Sequence, residues 1–224
     1  FEMTAAAAQM YRADIRAARE KYAGQIEIFC GVEQDYQSLD GTDKYDYVLG
    51  ATHIVTLPDG KPHNVDYIEA QSFDVVNKYF NGDFYSYAEA YYALNANIAA
   101  QTKCDVVAHF DLITKFNGGG RLFDESHPRY RAAAIDAMCE VLKTCNLFEV
   151  NTGAMYRVGN TNPYPAPFLL RELLSRGGEV ILTSDSHDIP SLGYEFPKMK
   201  ELLRSIGFKY RKIFTRAGFT DIKL

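Results

Sequence analysis

The four cysteines of this 224-residue chain include no CxxC pair. Each cysteine sits in an apolar segment, which favours buried free thiols over disulfide bonds. Free thiols are typical of proteins that stay in a reducing compartment. The cysteines are Cys30, Cys104, Cys139 and Cys145.

Long apolar runs and an excess of basic charge are also missing. No stretch approaches the ~20 apolar residues of a membrane span, and no signal-peptide pattern is present, so we expect a cytoplasmic protein without a membrane partner. The 24 Lys and Arg against 29 Asp and Glu give a net charge of -5. This balance argues against a nucleic-acid partner, which requires clustered basic residues. It leaves room for a small anionic substrate, because metals and a few arginines can supply local positive charge.

Motifs for covalent or nucleotide-dependent catalysis are absent as well. The sequence has no Gly-x-Ser-x-Gly elbow and no cysteine in a nucleophile context. The glycines at 118–120 lack the Lys-Ser/Thr helix start of a phosphate-binding loop and match no nucleotide fingerprint. A flexible loop is the favoured interpretation of this segment.

Strand-like and helix-like patterns alternate along the chain without a linker, a repeat or a low-complexity tract. Strands are predicted at about 26–32, 46–54, 104–109, 147–150 and 179–184. Helices are predicted at about 4–22, 66–80, 83–101, 128–144, 167–176 and 195–206, with a loop at 56–65. Continuous apolar strands joined by helices predict a parallel sheet covered by helices, and the length suits one domain over 1–224.

Four predicted strands lead into residues that can bind a metal ion. Asp185 and His187 follow an apolar strand and are two positions apart, so on a strand they point to the same side. Glu33, His53 and His109 follow three earlier strands. Imidazole and carboxylate ligands suit zinc, iron or manganese without discriminating among them. Ligands at strand ends are typical of a site at the mouth of a barrel, so we predict a metal-dependent hydrolase.

Other interpretations exist for individual residues. His53 alone could be a hydrogen-bonded core histidine, and Glu33 could cap a helix. Glu149 ends another strand and could be a ligand, a carboxylate that orients a ligand histidine, or a substrate contact. The last two are favoured. His63 and His127 are interpreted as surface loop residues, with a smaller chance that His63 touches substrate.

In these segments the sequence resembles the histidinol-phosphatase branch of the polymerase-and-histidinol-phosphatase (PHP) superfamily, and the resemblance covers essentially the whole chain. The matching stretches are Gly31-Val-Glu33-x-Asp35, Asp46-Tyr-Val-Leu-Gly50-Ala-Thr-His53, Asp105-Val-Val-Ala-His109-Phe-Asp111, Phe148-Glu-Val-Asn-Thr152 and Ser184-Asp-Ser-His187. Phe80-Asn-Gly-Asp83 with Tyr91-Tyr92, and Asn162-Pro-Tyr-Pro165, resemble this branch specifically.

The resemblance implies a distorted (β/α)7 barrel with up to three divalent metals (zinc, iron or manganese) at its mouth. It also implies hydrolysis of L-histidinol phosphate to L-histidinol and phosphate in histidine biosynthesis. Family ligand positions match Glu33, His53, His109, Asp185 and His187, and four of these are the expected catalytic residues, namely Glu33, His53, Asp185 and His187. Arg157 and Glu149 are the expected substrate-binding residues, with Arg157 on the phosphate.

One departure from the family pattern is large. The family opens with a strand that carries His-x-His and a second strand with an Asp-His ligand motif, whereas no histidine precedes His53 here. We therefore expect an N-terminally incomplete chain and a barrel without its first one or two strands. Such a chain could form a homo-oligomer. Alternative functions are a PHP phosphoesterase for another small ester or a nucleotide, and a non-catalytic remnant.

Overall fold

The computed structural model describes residues 3–224. In this range the strands are β1 (Gly31–Asp35), β2 (Tyr47–Ala51), β3 (Ile54–Thr56), β4 (Pro62–Asn64), β5 (Val106–Val107), β6 (Leu147–Asn151), β7 (Glu179–Thr183), β8 (Tyr210–Thr215) and β9 (Gly218–Lys223). The helices are α1 (Ala5–Lys21), α2 (Glu69–Tyr79), α3 (Phe84–Asn95), α4 (Ile98–Thr102), α5 (Pro128–Val141), α6 (Gly153–Arg157), α7 (Pro167–Ser175) and α8 (Phe196–Ile206).

The main sheet has the strand order β1-β2-β5-β6-β7-β8-β9. All neighbouring strands from β1 to β8 are parallel, and only β9 runs antiparallel, to β8. β3 and β4 form a separate antiparallel hairpin. The parallel strands end at one edge of the sheet, so the residues that follow them lie close together there.

Aromatic side chains fill the core between the sheet and the helices. Tyr92 on α3 and Tyr130 on α5 are at most 1% exposed, and their hydroxyls lie 3.0 Å apart. Phe110 and Phe148 are fully buried and meet edge to face, with ring centroids 5.4 Å apart. These contacts hold α3 and α5 against β5 and β6, the centre of the sheet. They therefore fix the position of His109, which follows β5.

The two ends of the main sheet, β1 and β9, are not hydrogen-bonded to each other within the described residues. A cleft of about 490 Å³ separates the segment at 26–29 from the β8–β9 turn. Phe29 and Phe214 contact each other across it edge to face, at 4.8 Å between ring centroids. The α/β architecture with a parallel sheet is confirmed, while the number of strands needed to close the ring stays a prediction.

Several predicted boundaries were wrong. The predicted strand at 26–32 begins only at Gly31, so Glu33 lies inside β1 rather than after it. The predicted loop at 56–65 contains the β3–β4 hairpin, whose turn brings Leu57 N to Lys61 O at 2.8 Å. The predicted helix at 83–101 divides into α3 and α4.

The prediction ended at Gly207 and missed the C-terminal hairpin. β8 and β9 pair over six residues each and add two strands to the sheet. Gly218 closes the turn with a φ of 88°, a backbone conformation that suits glycine. Alternating polar and apolar residues in this segment were the available signal. The short helix α6 after β6 was missed as well.

The cysteines agree in part with their expected burial. All four cysteines are free; Cys30 and Cys145 are buried, and Cys104 and Cys139 are half-buried. Among the described helices none combines the length and the apolar character needed to cross a bilayer.

Candidate metal centre

Three of the predicted ligands meet at the carboxyl ends of β1, β2 and β5. One ligand atom each from Glu33, His53 and His109 lies within 4.8 Å of the others. His109 Nε2 is 2.8 Å from Glu33 Oε1, and His53 Nε2 is 3.6 Å from the same oxygen. The two imidazole rings are edge to face at 4.9 Å between centroids. Two imidazole nitrogens and a carboxylate converging in this way fit a zinc, iron or manganese ion.

The charges of the cluster interact strongly. Enclosure alone would raise the pKa of Glu33, but the hydrogen bond and positive charge of His109 outweigh it and lower the pKa to about 2. Burial alone would lower the pKa of His109, but the hydrogen bond and negative charge of Glu33 raise it to about 9. At neutral pH a proton therefore occupies the position that a metal ion would take between these two side chains.

Asp35 orients His53 and was not assigned a role from the sequence. Its Oδ2 accepts a hydrogen bond from the backbone N of His53 at 3.1 Å. The same oxygen lies 3.0 Å from Nδ1 of the His53 ring. The second contact leaves Nε2 of His53 directed at Glu33. A carboxylate on the far nitrogen of a ligand histidine is a common support in metal sites. Asp35 follows Glu33 by two positions on β1, which was the signal that could have identified it.

Glu149 is a buried carboxylate that holds the backbone of His109 by a hydrogen bond. Its side chain is 2% exposed, and its Oε1 accepts from the backbone N of His109 and from Asn151 Nδ2 at 2.5 and 2.8 Å. Its Oε2 accepts from Thr183 Oγ1 at 2.7 Å. Burial raises the pKa of Glu149 above its ordinary value. The carboxylate thus links the ends of three neighbouring strands, β5, β6 and β7, by hydrogen bonds next to the cluster.

Asp185 and His187 lie next to the three-residue cluster but do not join it. Arg157 donates to Asp185 Oδ2 at 2.6 Å and to the Asp185 carbonyl at 2.5 Å. The same guanidinium is 3.2 Å from Nδ1 of His187, whose side chain is 70% exposed. Asp185 has a φ of 44°, a left-handed backbone conformation that is uncommon for non-glycine residues.

The interpretation of His63 as a surface loop residue was wrong, because it lies on β4 and is 7% exposed. Burial lowers its pKa, and its ring packs against Tyr87 at 5.9 Å between centroids. His127 caps helix α5, since its Nδ1 accepts from the backbone N of Arg129. It also stacks on Tyr85 at 4.0 Å. Both histidines are therefore placed by packing or capping.

Comparison with known proteins gives two relatives of the same name. Over 221 residues the chain is 29% identical to a "probable histidinol-phosphatase" of Deinococcus radiodurans, covering 91% of this chain and 76% of that protein. Over 210 residues it is 26% identical to a "probable histidinol-phosphatase" of Schizosaccharomyces pombe, covering 88% of this chain and 65% of that protein. This chain is a homologue of these proteins. The predicted resemblance to the histidinol-phosphatase branch is confirmed.

A solved structure extends the comparison to the fold. The crystal structure of a candidate histidinol phosphatase from Listeria monocytogenes superposes with a TM-score of 0.69 at 16% identity, covering 88% of this chain and 77% of that chain. At this identity the likeness shows a common fold, and it agrees with the predicted α/β class. No family model matches the chain.

Proposed function

We propose that this protein is a metal-dependent phosphomonoesterase that hydrolyses L-histidinol phosphate to L-histidinol and phosphate in histidine biosynthesis. The convergence of Glu33, His53 and His109 within 4.8 Å carries the proposal. The two relatives named as histidinol-phosphatases support the choice of substrate. The free cysteines support a reducing, cytoplasmic location.

In the proposed site, Glu33, His53 and His109 would hold a divalent ion, and Asp185 and His187 would complete the ligand set contributed by this chain. The chemistry that zinc, iron or manganese would supply there is activation of water and neutralisation of phosphoryl charge. Asp35 keeps Nε2 of His53 directed toward Glu33. Glu149 is 2% exposed and its oxygens already accept protein donors, which favours support of His109 over substrate contact.

Arg157 is proposed to bind the phosphate. Its guanidinium donates a hydrogen bond to the Oδ2 carboxylate oxygen of Asp185 at 2.6 Å. The planar arrangement of guanidinium donors that suits a carboxylate also suits a phosphate. If Asp185 were a metal ligand, the guanidinium of Arg157 would be free to bind a phosphoryl oxygen. The same pairing therefore keeps the arginine beside the cluster before substrate binds.

The test is phosphate release by the protein reconstituted with Mn²⁺, Zn²⁺ or Fe²⁺. Histidinol phosphate is compared with sugar monophosphates and nucleoside monophosphates. We expect metal-dependent release from histidinol phosphate, loss of release in Glu33→Gln and His53→Ala, and normal release in Glu201→Gln, whose side chain is exposed on α8.

Each alternative has its own outcome in this assay. Release from a different ester only would reject the substrate and keep the phosphoesterase class. No metal-dependent release from any ester would reject the enzyme and favour a non-catalytic binding role. A Glu33→Gln protein as active as the wild type would reject the proposed metal centre.

A further inference from the structure

A second polar cavity lies beside the segment that follows β5. Its lining residue Tyr164 has its ring 6.4 Å from the ring of His109, measured between centroids, so the cavity neighbours the histidine cluster. Its volume is about 60 Å³, and Asp111, Glu125 and Tyr164 are among its lining residues. Gly118, Gly119 and the segment at 160–164 also line it. The proposed phosphatase function assigns no role to this cavity.

Asp111 is the unusual residue of the cavity. Its side chain is 0% exposed; Oδ2 accepts one hydrogen bond from the backbone N of Ala166 at 2.8 Å, whereas Oδ1 has no partner. The hydroxyl of Tyr164, 3% exposed, is also without a partner. A buried carboxylate oxygen without a donor or a cation is costly, since burial removes its hydration.

The carboxyl groups of the cavity have no lysine or arginine partner. Within residues 3–224, no lysine or arginine side chain forms an ion pair with Asp111 or Glu125. Burial raises the pKa of Glu125 above its ordinary value. Two carboxyl groups are therefore enclosed here without a basic side chain that pairs with them.

The remaining geometry fixes one of these carboxylates in place. Asn117 is 1% exposed and donates to Glu125 Oε1 at 2.9 Å, which leaves Oε2 of Glu125 for another partner. Asn160 donates a hydrogen bond to the carbonyl of Lys115 at 3.2 Å. Its Oδ1 packs against Gly118, since a Cβ atom added to this glycine would lie only 3.3 Å from that oxygen. The cavity thus presents oxygen atoms on rigid supports.

We propose that this cavity binds one hard divalent cation of the Ca²⁺ or Mg²⁺ type, with Asp111 and Glu125 as its carboxylate ligands. Carboxylate, amide, hydroxyl and carbonyl oxygens are the donors these ions prefer, and no imidazole or thiol lines the cavity. The volume exceeds the roughly 10–15 Å³ that one water requires, so the ion can keep water ligands. The bound ion would join the 112–125 loop to the 160–166 segment beside β5.

The experiment measures Ca²⁺ and Mg²⁺ binding to protein whose histidine cluster has first been loaded with Zn²⁺. Equilibrium dialysis with metal analysis is expected to give one equivalent of Ca²⁺ or Mg²⁺ per chain, and the melting temperature is expected to rise with the concentration of that ion. Asp111→Asn keeps an acceptor for Ala166 N and Glu125→Gln keeps one for Asn117, so both are expected to fold and to lose the equivalent. His53→Ala is expected to retain it.

Three outcomes would overturn the proposal. The first is a wild-type protein that takes up neither ion beyond the zinc cluster, which would mean that the cavity holds water only. The second is undiminished uptake in Glu125→Gln, the less buried of the two positions, with its fold verified by circular dichroism. The third is loss of uptake in His53→Ala, which would assign the ion to the histidine cluster. Because the readout is binding, failure of the phosphatase assay leaves this test intact.

Discussion

Replacement of Glu149 tests whether a buried carboxylate holds the metal centre together. In Glu149→Ala, three donors lose their acceptor: the backbone N of His109, Asn151 Nδ2 and Thr183 Oγ1. Each buried donor left unpaired costs about 1–3 kcal/mol. The sum, about 3–9 kcal/mol, is a large part of the ~5–15 kcal/mol by which a domain of this kind is stable.

Glu149→Gln separates the carboxylate's charge from its geometry. The amide oxygen can still accept from the backbone N of His109 and from Asn151, while the new amide nitrogen faces Thr183 Oγ1, which can accept instead of donate. One rearranged hydrogen bond predicts a loss of about 1 kcal/mol, well below that of the alanine variant.

Urea unfolding of the metal-free protein, followed by circular dichroism, measures both losses. Glu201→Ala on the exposed face of α8 is the matched control and should change the free energy of unfolding by less than ~0.5 kcal/mol. An alanine variant at position 149 as stable as this control would refute the reasoning. A glutamine variant with wild-type stability but a raised KM would instead assign Glu149 to substrate contact.

Four further predictions concern the centre itself. Asp35→Asn should weaken metal binding by about 10–100-fold in calorimetric titration, because His53 loses the carboxylate that orients it; unchanged affinity would contradict this role. Arg157→Lys, which loses the planar fork, should raise KM for the phosphate ester more than it lowers kcat, and an unchanged KM would remove Arg157 from the phosphate site. Metal binding at pH 7 should release a proton from His109, which calorimetry in buffers of different ionisation enthalpy can show. The apparent affinity for the metal should therefore rise with pH up to about 9. In the metal-free protein the Glu33–His109 pair should stabilise the fold most between about pH 4.5 and 6.5. Because the pKa of Glu33 is lowered, its contribution falls as the pH drops from 4.5 to about 2. Because the pKa of His109 is raised, its contribution falls as the pH rises from 6.5 to about 9, and urea unfolding across this range would reveal both losses.

Sequence reasoning predicted which candidate ligands meet because parallel strands impose a simple rule. Residues that follow such strands lie at one edge of the sheet, whatever their separation in the chain. His53 and His109 obeyed it directly, and Glu33 meets them from within β1. The rule needs only approximate strand ends, so errors of several residues in the boundaries did no harm.

Features that depend on exact backbone conformation escaped prediction. The φ of 44° at Asp185 turns its carboxylate to Arg157, and no spacing rule anticipates a left-handed aspartate. The burial of His63 depends on a hairpin hidden in a segment rich in turn residues. The partnerless oxygen of Asp111 depends on which backbone amides of a distant segment approach it. Each requires the tertiary structure.

Because β1 lies at one end of the described sheet, Glu33 is held less firmly than His109. β1 pairs with β2 alone, whereas the segment of His109 lies between paired strands above a carboxylate with three donors. Strands at the periphery of a sheet open locally at lower free energy than central ones, and their amides exchange with solvent sooner. Glu33 therefore belongs to the part of the centre that opens first. An ion held there would be released through fluctuations of β1 while both histidines remain in place.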